Sequence, residues 1–157
     1  MKAFLSVIKN NCFFVAALLI GAFSYYFYMF SSDSDKLCVN SKCFFIELAV
    51  NESQWKQGLM GRSFLPANKG MLFIFDQEKD YAMWMKNMKI PLDIIFMDKN
   101  LNIVSIVENF QPCLKNYCPS VSAGKETMYV LEIGAGLAEE EGIVVGQKAE
   151  LTISSGK

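Results

Sequence analysis

The densest run of chemically able residues in the chain is Trp84-Met85-Lys86-Asn87-Met88-Lys89-Ile90-Pro91-Leu92-Asp93. On an extended strand Trp84 and Lys86 share one face, which sets an aromatic plate beside a cation and the Asn87 amide. That set suits a planar polar ligand, such as a glycan or a small anionic molecule, by stacking combined with directed hydrogen bonds. In the bland alternative Trp84 packs in the core and the polar groups close a turn before Pro91; spacing alone favours this packing role somewhat. Arg62, directly after Gly61, is a second candidate, because a guanidinium grips a carboxylate or phosphate through two parallel hydrogen bonds. Its internal alternatives are pairing with Asp93, Glu47 or Glu132. Met83, Met85 and Met88 flank Trp84, and thioethers select Cu(I). Methionine more often fills a core, and without histidine or a free thiol a copper site here would be weak.

The count of histidines is zero, which removes the commonest general base near neutral pH and the commonest metal ligand. No Ser-His-Asp or Cys-His arrangement can form, and no nucleophile-elbow, Ser-x-x-Lys or phosphate-cradling glycine motif is present. Enzymatic activity is disfavoured, and no catalytic residue, metal or cofactor is implied. A hydrolase would have to work through Glu47, Asp93 or Glu132, with two carboxylates facing one cleft. A formal net charge of -1, with no local Lys/Arg cluster, makes nucleic acid an unexpected partner.

What must position these residues is a chain of 157 residues with one long apolar stretch. Residues 12–30 form 19 residues without a charge, enough for a helix to span a hydrocarbon core of about 30 Å. Lys2 and Lys9 precede it, while Asp33 and Asp35 follow. Basic flanks stay in the cytoplasm. The expected order is therefore a cytoplasmic N-terminus over 1–11, a transmembrane signal-anchor over 12–30, a polar linker over 31–36 and an extracytoplasmic domain over 37–157. Ala22-Phe23-Ser24 offers a competing signal-peptidase site. Cleavage there would leave Tyr-Tyr-Phe-Tyr-Met-Phe exposed on a soluble protein, so the uncleaved anchor is preferred. On the oxidising side of a membrane Cys38, Cys43, Cys113 and Cys118 are expected to form two disulfides, most simply within each close pair. A tetrathiolate zinc site is the minority alternative. The expected partners are the membrane, through residues 12–30, and a glycan or anionic small molecule; a protein partner of unknown identity, engaged through an exposed apolar patch, is the further alternative.

Within the domain, Phe44, Ile46, Leu48 and Val50 alternate with Phe45, Glu47 and Ala49, the period of a strand with one apolar face. Asn51 and Gln54 resemble a capping box, and Trp55 with Leu59 lie one turn apart, so a short helix is expected over 52–60, ended by Gly61. Residues 70–75, 81–86, 92–97, 103–107, 128–133 and 148–153 read as further strands, with a hairpin at 98–100 and a helical turn within 135–142. Seven short strands and few helices predict a mainly β sandwich or closed barrel.

Glu47-Leu48-Ala49, Gly58-Leu59-Met60-Gly61-Arg62, Gly70-Met71-Leu72-Phe73, Trp84-Met85-Lys86-Asn87 with Pro91-Leu92-Asp93, and Tyr129-Val130-Leu131-Glu132 with Gly136 occur in an order that resembles the family called domain of unknown function 192. The resemblance runs from about Lys42 to Ile153. It implies a jelly-roll-like β fold, often behind a signal or anchor segment, and no established activity, substrate or cofactor. Family members commonly carry Thr at the position of Met88 and Asp at that of Gln147, and the Pro112-Cys113 and Cys118-Pro119 arrangement is similar to the family's, which supports a local disulfide. Arg62, Lys86, Asn87 and Asp93 fall on matched motif positions and, with Trp84, are the ligand-binding candidates.

Overall fold

The structure is a computed structural model that describes residues 34–113 and 117–154. The apolar stretch over 12–30 lies outside the described residues, among which no helix is long and apolar enough to cross a membrane.

Among the described residues nine strands and two short helices follow in chain order: β1 (Lys36–Val39), β2 (Lys42–Ala49), α1 (Glu52–Gln57), β3 (Lys69–Lys79), β4 (Met83–Trp84), β5 (Leu92–Met97), β6 (Ile103–Phe110), β7 (Ser120–Val121), β8 (Thr127–Gly134), α2 (Leu137–Glu140) and β9 (Ala149–Thr152). Seven strands make one sheet in the order β6-β5-β8-β3-β2-β1-β9, and β4 pairs with β7 beside it. Most pairings are antiparallel, but β2 and β3 run parallel, joined by a crossover that contains α1. The sheet curls until its edges meet: Ile103 N–H donates to Gln147 O at 2.8 Å and Ala149 N–H to Leu101 O at 2.9 Å. This closure covers part of two strand edges that would otherwise stand open to other chains. The mainly β reading of the sequence holds, with seven of the nine described strands gathered in one curled sheet.

Period-2 alternation divides the core between the two faces. Inside the curl all seven strands contribute apolar side chains, among them Leu37, Phe44, Leu72, Ile95, Ile103, Leu131 and Ala149. On the outer face Met71, Phe73 and Phe75 of β3, Ile94 and Phe96 of β5, and Val130 of β8 are covered by Leu59, Leu65, Met83, Met85 and Met88 from the connecting segments. Leu92–Met97 is consequently buried on both faces.

The helix after β2 begins as its sequence predicts and ends sooner. Asn51 accepts from Gln54 N–H at 3.1 Å, while the Gln54 side chain reaches back to Val50 N–H at 2.8 Å. Gly58, at φ 46°, stops it after Gln57, three residues short of the expected Met60. Leu59 keeps its buried position without helical geometry. The expected strand over 81–86 is regular only at Met83–Trp84, and β1 and β7 were not anticipated. Cys38–Cys43 and Cys113–Cys118 are both disulfide-bonded, which settles the cysteine pairing against zinc. The first bridges directly opposed residues of the β1/β2 hairpin.

Candidate functional site

Four of the five predicted site residues gather on the outer face. Trp84 sits at the end of β4, 45 % exposed, and the Lys86 ammonium stands 5.3 Å from the centre of its indole ring. Asn87 is exposed in a left-handed turn (φ 58°), and its carbonyl accepts from Gly61 N–H at 3.1 Å, which ties this turn to the Arg62 loop. The disulfide segment supports the turn from the other side. Cys113 N–H donates to Met85 O at 2.9 Å, and Asn87 N–H donates to Cys113 O at 3.2 Å.

Arg62 is not a free cation. Its guanidinium meets Glu47 with both nitrogens, Nη1 to Oε1 and Nη2 to Oε2, each at 2.6 Å. That hydrogen bond holds the Glu47 carboxyl below its ordinary range, against the opposing effect of burial, and raises Arg62 in return. Of the three internal partners open to Arg62 in the sequence, Glu47 is the one that holds it. Asp93 is set apart from the other four. It is fully buried, and its carboxylate accepts from Asn109 N–H at 2.8 Å, Gly136 N–H at 3.1 Å and Ala138 N–H at 2.8 Å. With these bonds it fixes the β6 turn and the start of α2, which is a structural role.

The residue that site reasoning from sequence undervalued is Glu132. In register, Glu47 of β2, Met71 of β3, Glu132 of β8 and Ile94 of β5 form one cross-strand row on the outer face. Glu47 at the row's edge reaches solvent and Arg62. Glu132 is only 4 % exposed, because α1, Gly58 and the Met83–Met88 segment close over it. Among the described residues none donates a hydrogen bond to its carboxyl, and burial pushes that group up to about 8. The carboxyl borders a cavity of about 20 Å³ whose walls include Met60, Met83, Met88, Trp55 and Trp84. A second, shallow cavity of about 400 Å³ lies along Glu108–Cys113 and Pro119.

The profile of a family described only as an uncharacterised ACR, domain of unknown function 192, matches residues 36–151, nearly the whole domain. The chain belongs to the DUF192 family. A crystal structure of a proposed transcription regulator from Sinorhizobium meliloti 1021 is 34 % identical, covers 74 % of this chain and 91 % of its own, and superposes with a TM-score of 0.67. A protein of unknown function from Novosphingobium aromaticivorans DSM 12444 is 32 % identical, covers 74 % of this chain and 83 % of its own, and gives a TM-score of 0.68. No curated protein matches. The DUF192 motifs read in the sequence now have positions: Glu47 and Arg62 form the ion pair, Gly58 lies over Glu132, Lys86 stacks on Trp84, and Asp93 anchors backbone.

Proposed function

We propose that this DUF192 chain is a membrane-anchored binding or accessory module, with its domain on the oxidising side of the membrane and its Trp84 rim taking an envelope glycan or another small anionic ligand. The observation that carries the ligand reading is the Lys86 ammonium placed over an exposed indole, 5.3 Å from its centre. Indole surface supplies stacking, the ammonium supplies charge, and the exposed Asn87 amide supplies directed hydrogen bonds. The two disulfides and the charge-free run over 12–30 support the placement.

The hydrolase reading asks for two carboxylates facing one cleft, and of Glu47, Asp93 and Glu132, only Glu132 lines the cavity beneath Trp84. Glu47 is gripped by Arg62 outside the cavity that Glu132 borders, and the oxygens of Asp93 are taken by backbone donors. A protein-docking reading draws on the same ion pair, which engages Arg62 internally, and on Phe64, 73 % exposed two residues further on.

Screening the full chain in detergent against glycans and small carboxylates tests the ligand reading. Binding should fall at least tenfold in Trp84→Ala and in Lys86→Ala. Equal binding by wild type and both variants would remove it. Protease accessibility of a carboxyl-terminal tag in intact cells tests the placement, and a cytosolic tag would overturn it.

A further inference from the structure

Beneath the Trp84 rim, the cavity bordered by Glu132 has a composition that neither its packing nor the rim explains. Every fully enclosed side-chain nitrogen or oxygen among the described residues has a hydrogen-bond partner, whereas the Glu132 carboxyl has none and opens onto the cavity. Buried without a donor, such a carboxyl either keeps its proton or exchanges that proton for another positive charge beside it. The nearest lysine on the cavity wall, Lys56, is committed to Glu52 at 2.8 Å on the exposed side of α1. About 20 Å³ admits a single water or a single ion.

The donor set decides which ion fits. Hard cations such as Mg²⁺ and Ca²⁺ gather six or more oxygens, and here one buried carboxylate is the only acidic group on the wall. Besides the amide of Gln57, which is exposed, the remaining side-chain donors are soft: the thioethers of Met60, Met83 and Met88, with the π faces of Trp55 and Trp84 close by. A monovalent ion would bring the charge of Glu132 to zero, whereas a divalent one would leave a buried positive charge. We infer that this cavity is a site for a soft monovalent cation, Cu(I) or its redox-inert analogue Ag(I), held by the three thioethers and the Glu132 carboxylate. The site revises the methionine grouping that spacing suggested. Met85 packs in the outer core without reaching the cavity, and Met60, from the other side of α1's turn, takes its place. With no histidine in the chain and the domain's four cysteines bridged, thioethers carry the selectivity.

Both of the chain's tryptophans line this cavity, so intrinsic fluorescence reads it directly. The test uses the full chain in detergent with Cys12→Ser, which removes the one competing thiol, titrated with Ag(I). Quenching should saturate at one equivalent, and Zn(II) and Mg(II) should produce none. Met83→Leu/Met88→Leu keeps side-chain volume and should weaken Ag(I) binding at least tenfold, while Met85→Leu leaves it unchanged. Methyl-carbon NMR of the wild type provides a reading independent of any variant's folding: the methionine methyl signals that move with Ag(I) should be those of Met60, Met83 and Met88. Unsaturable quenching, equal affinity in the folded double variant, or shifts confined to other methionines would overturn the site. Loss of glycan or carboxylate binding at the rim would leave all three readouts untouched, so the two proposals fail separately.

Discussion

Arg62 and Glu47 are joined by two parallel hydrogen bonds of 2.6 Å across a sequence distance of 15 residues, and this pair pins the loop after α1 to the edge of β2. Their side chains remain 36 % and 48 % exposed, so solvent screening limits what the pair adds to stability. Arg62→Ala is expected to cost no more than about 1 kcal/mol. The sharper readout is the Glu47 carboxyl, whose lowered pKa comes first from the Arg62 hydrogen bond. It should rise toward 4.5 in Arg62→Ala, followed by carboxyl-carbon NMR. A lowered folded-state pKa stabilises above the unfolded value, so the wild-type advantage should disappear as pH falls below 4.5. An unmoved Glu47 titration would show that the pair does not persist in solution.

Asp93 should matter far more to stability than to binding. Removing its carboxylate leaves three backbone N–H groups, those of Asn109, Gly136 and Ala138, without acceptors. Asp93→Ala should cost about 3 kcal/mol or more, and Asp93→Asn less because one oxygen remains. Hydrogen exchange should accelerate first at those three amides. Uniform exchange across the domain would contradict the local role.

The strands were legible wherever two apolar faces or clean alternation left one reading. Leu92–Met97 sits where the sequence places it, between Pro91 and the Asp98 turn, whose carboxylate accepts from Asn100 and Asn102. β1 starts on Lys36, the last residue of the expected linker, and runs on into the expected domain; a four-residue strand shows too little alternation to detect, and β7 has only two residues. Helical spacing of Trp55 and Leu59 overran the true end, since periodicity does not register the left-handed turn at Gly58. At the site, the Trp84 and Lys86 pairing followed from a spacing of two. Glu132 was weighed as a carboxylate, but its burial depends on a loop 70 to 80 residues away in sequence folding over it, and no local pattern reports that. Met60 entered the cavity for the same reason.

Gly70 fixes the approach of β3 to β8. A Cβ there would lie 2.7 Å from the Glu132 carbonyl oxygen and 3.0 Å from Ile133 Cγ2. The first of these atoms is backbone within a central strand pair and cannot retreat without breaking the ladder. Gly70→Ala should therefore cost about 3 kcal/mol, the upper range for overpacking, measured by urea denaturation. A loss under about 0.5 kcal/mol, the scale of a neutral surface change, would mean the two strands stand further apart than described.

Glu132 gives the domain an unusual pH dependence, measurable without metal. Unfolded, its carboxyl titrates near 4.5; folded, burial holds it up to about 8. Between those values the folded chain keeps a proton that the unfolded chain has lost, so stability is complete below pH 4.5 and declines as pH rises to 8. At about 1.4 kcal/mol per unit, the full decline is on the order of 5 kcal/mol. Glu132→Gln is neutral throughout and should lack this decline, becoming more stable than wild type at pH 8.5 while losing its advantage near pH 4.5. The carboxylates with lowered pKa, Glu47, Glu52, Glu78 and Asp98, act below pH 4.5 and leave this window clear. Urea midpoints at pH 5, 7 and 8.5 would decide it, and parallel profiles for the two proteins would show that Glu132 is solvated in the folded state.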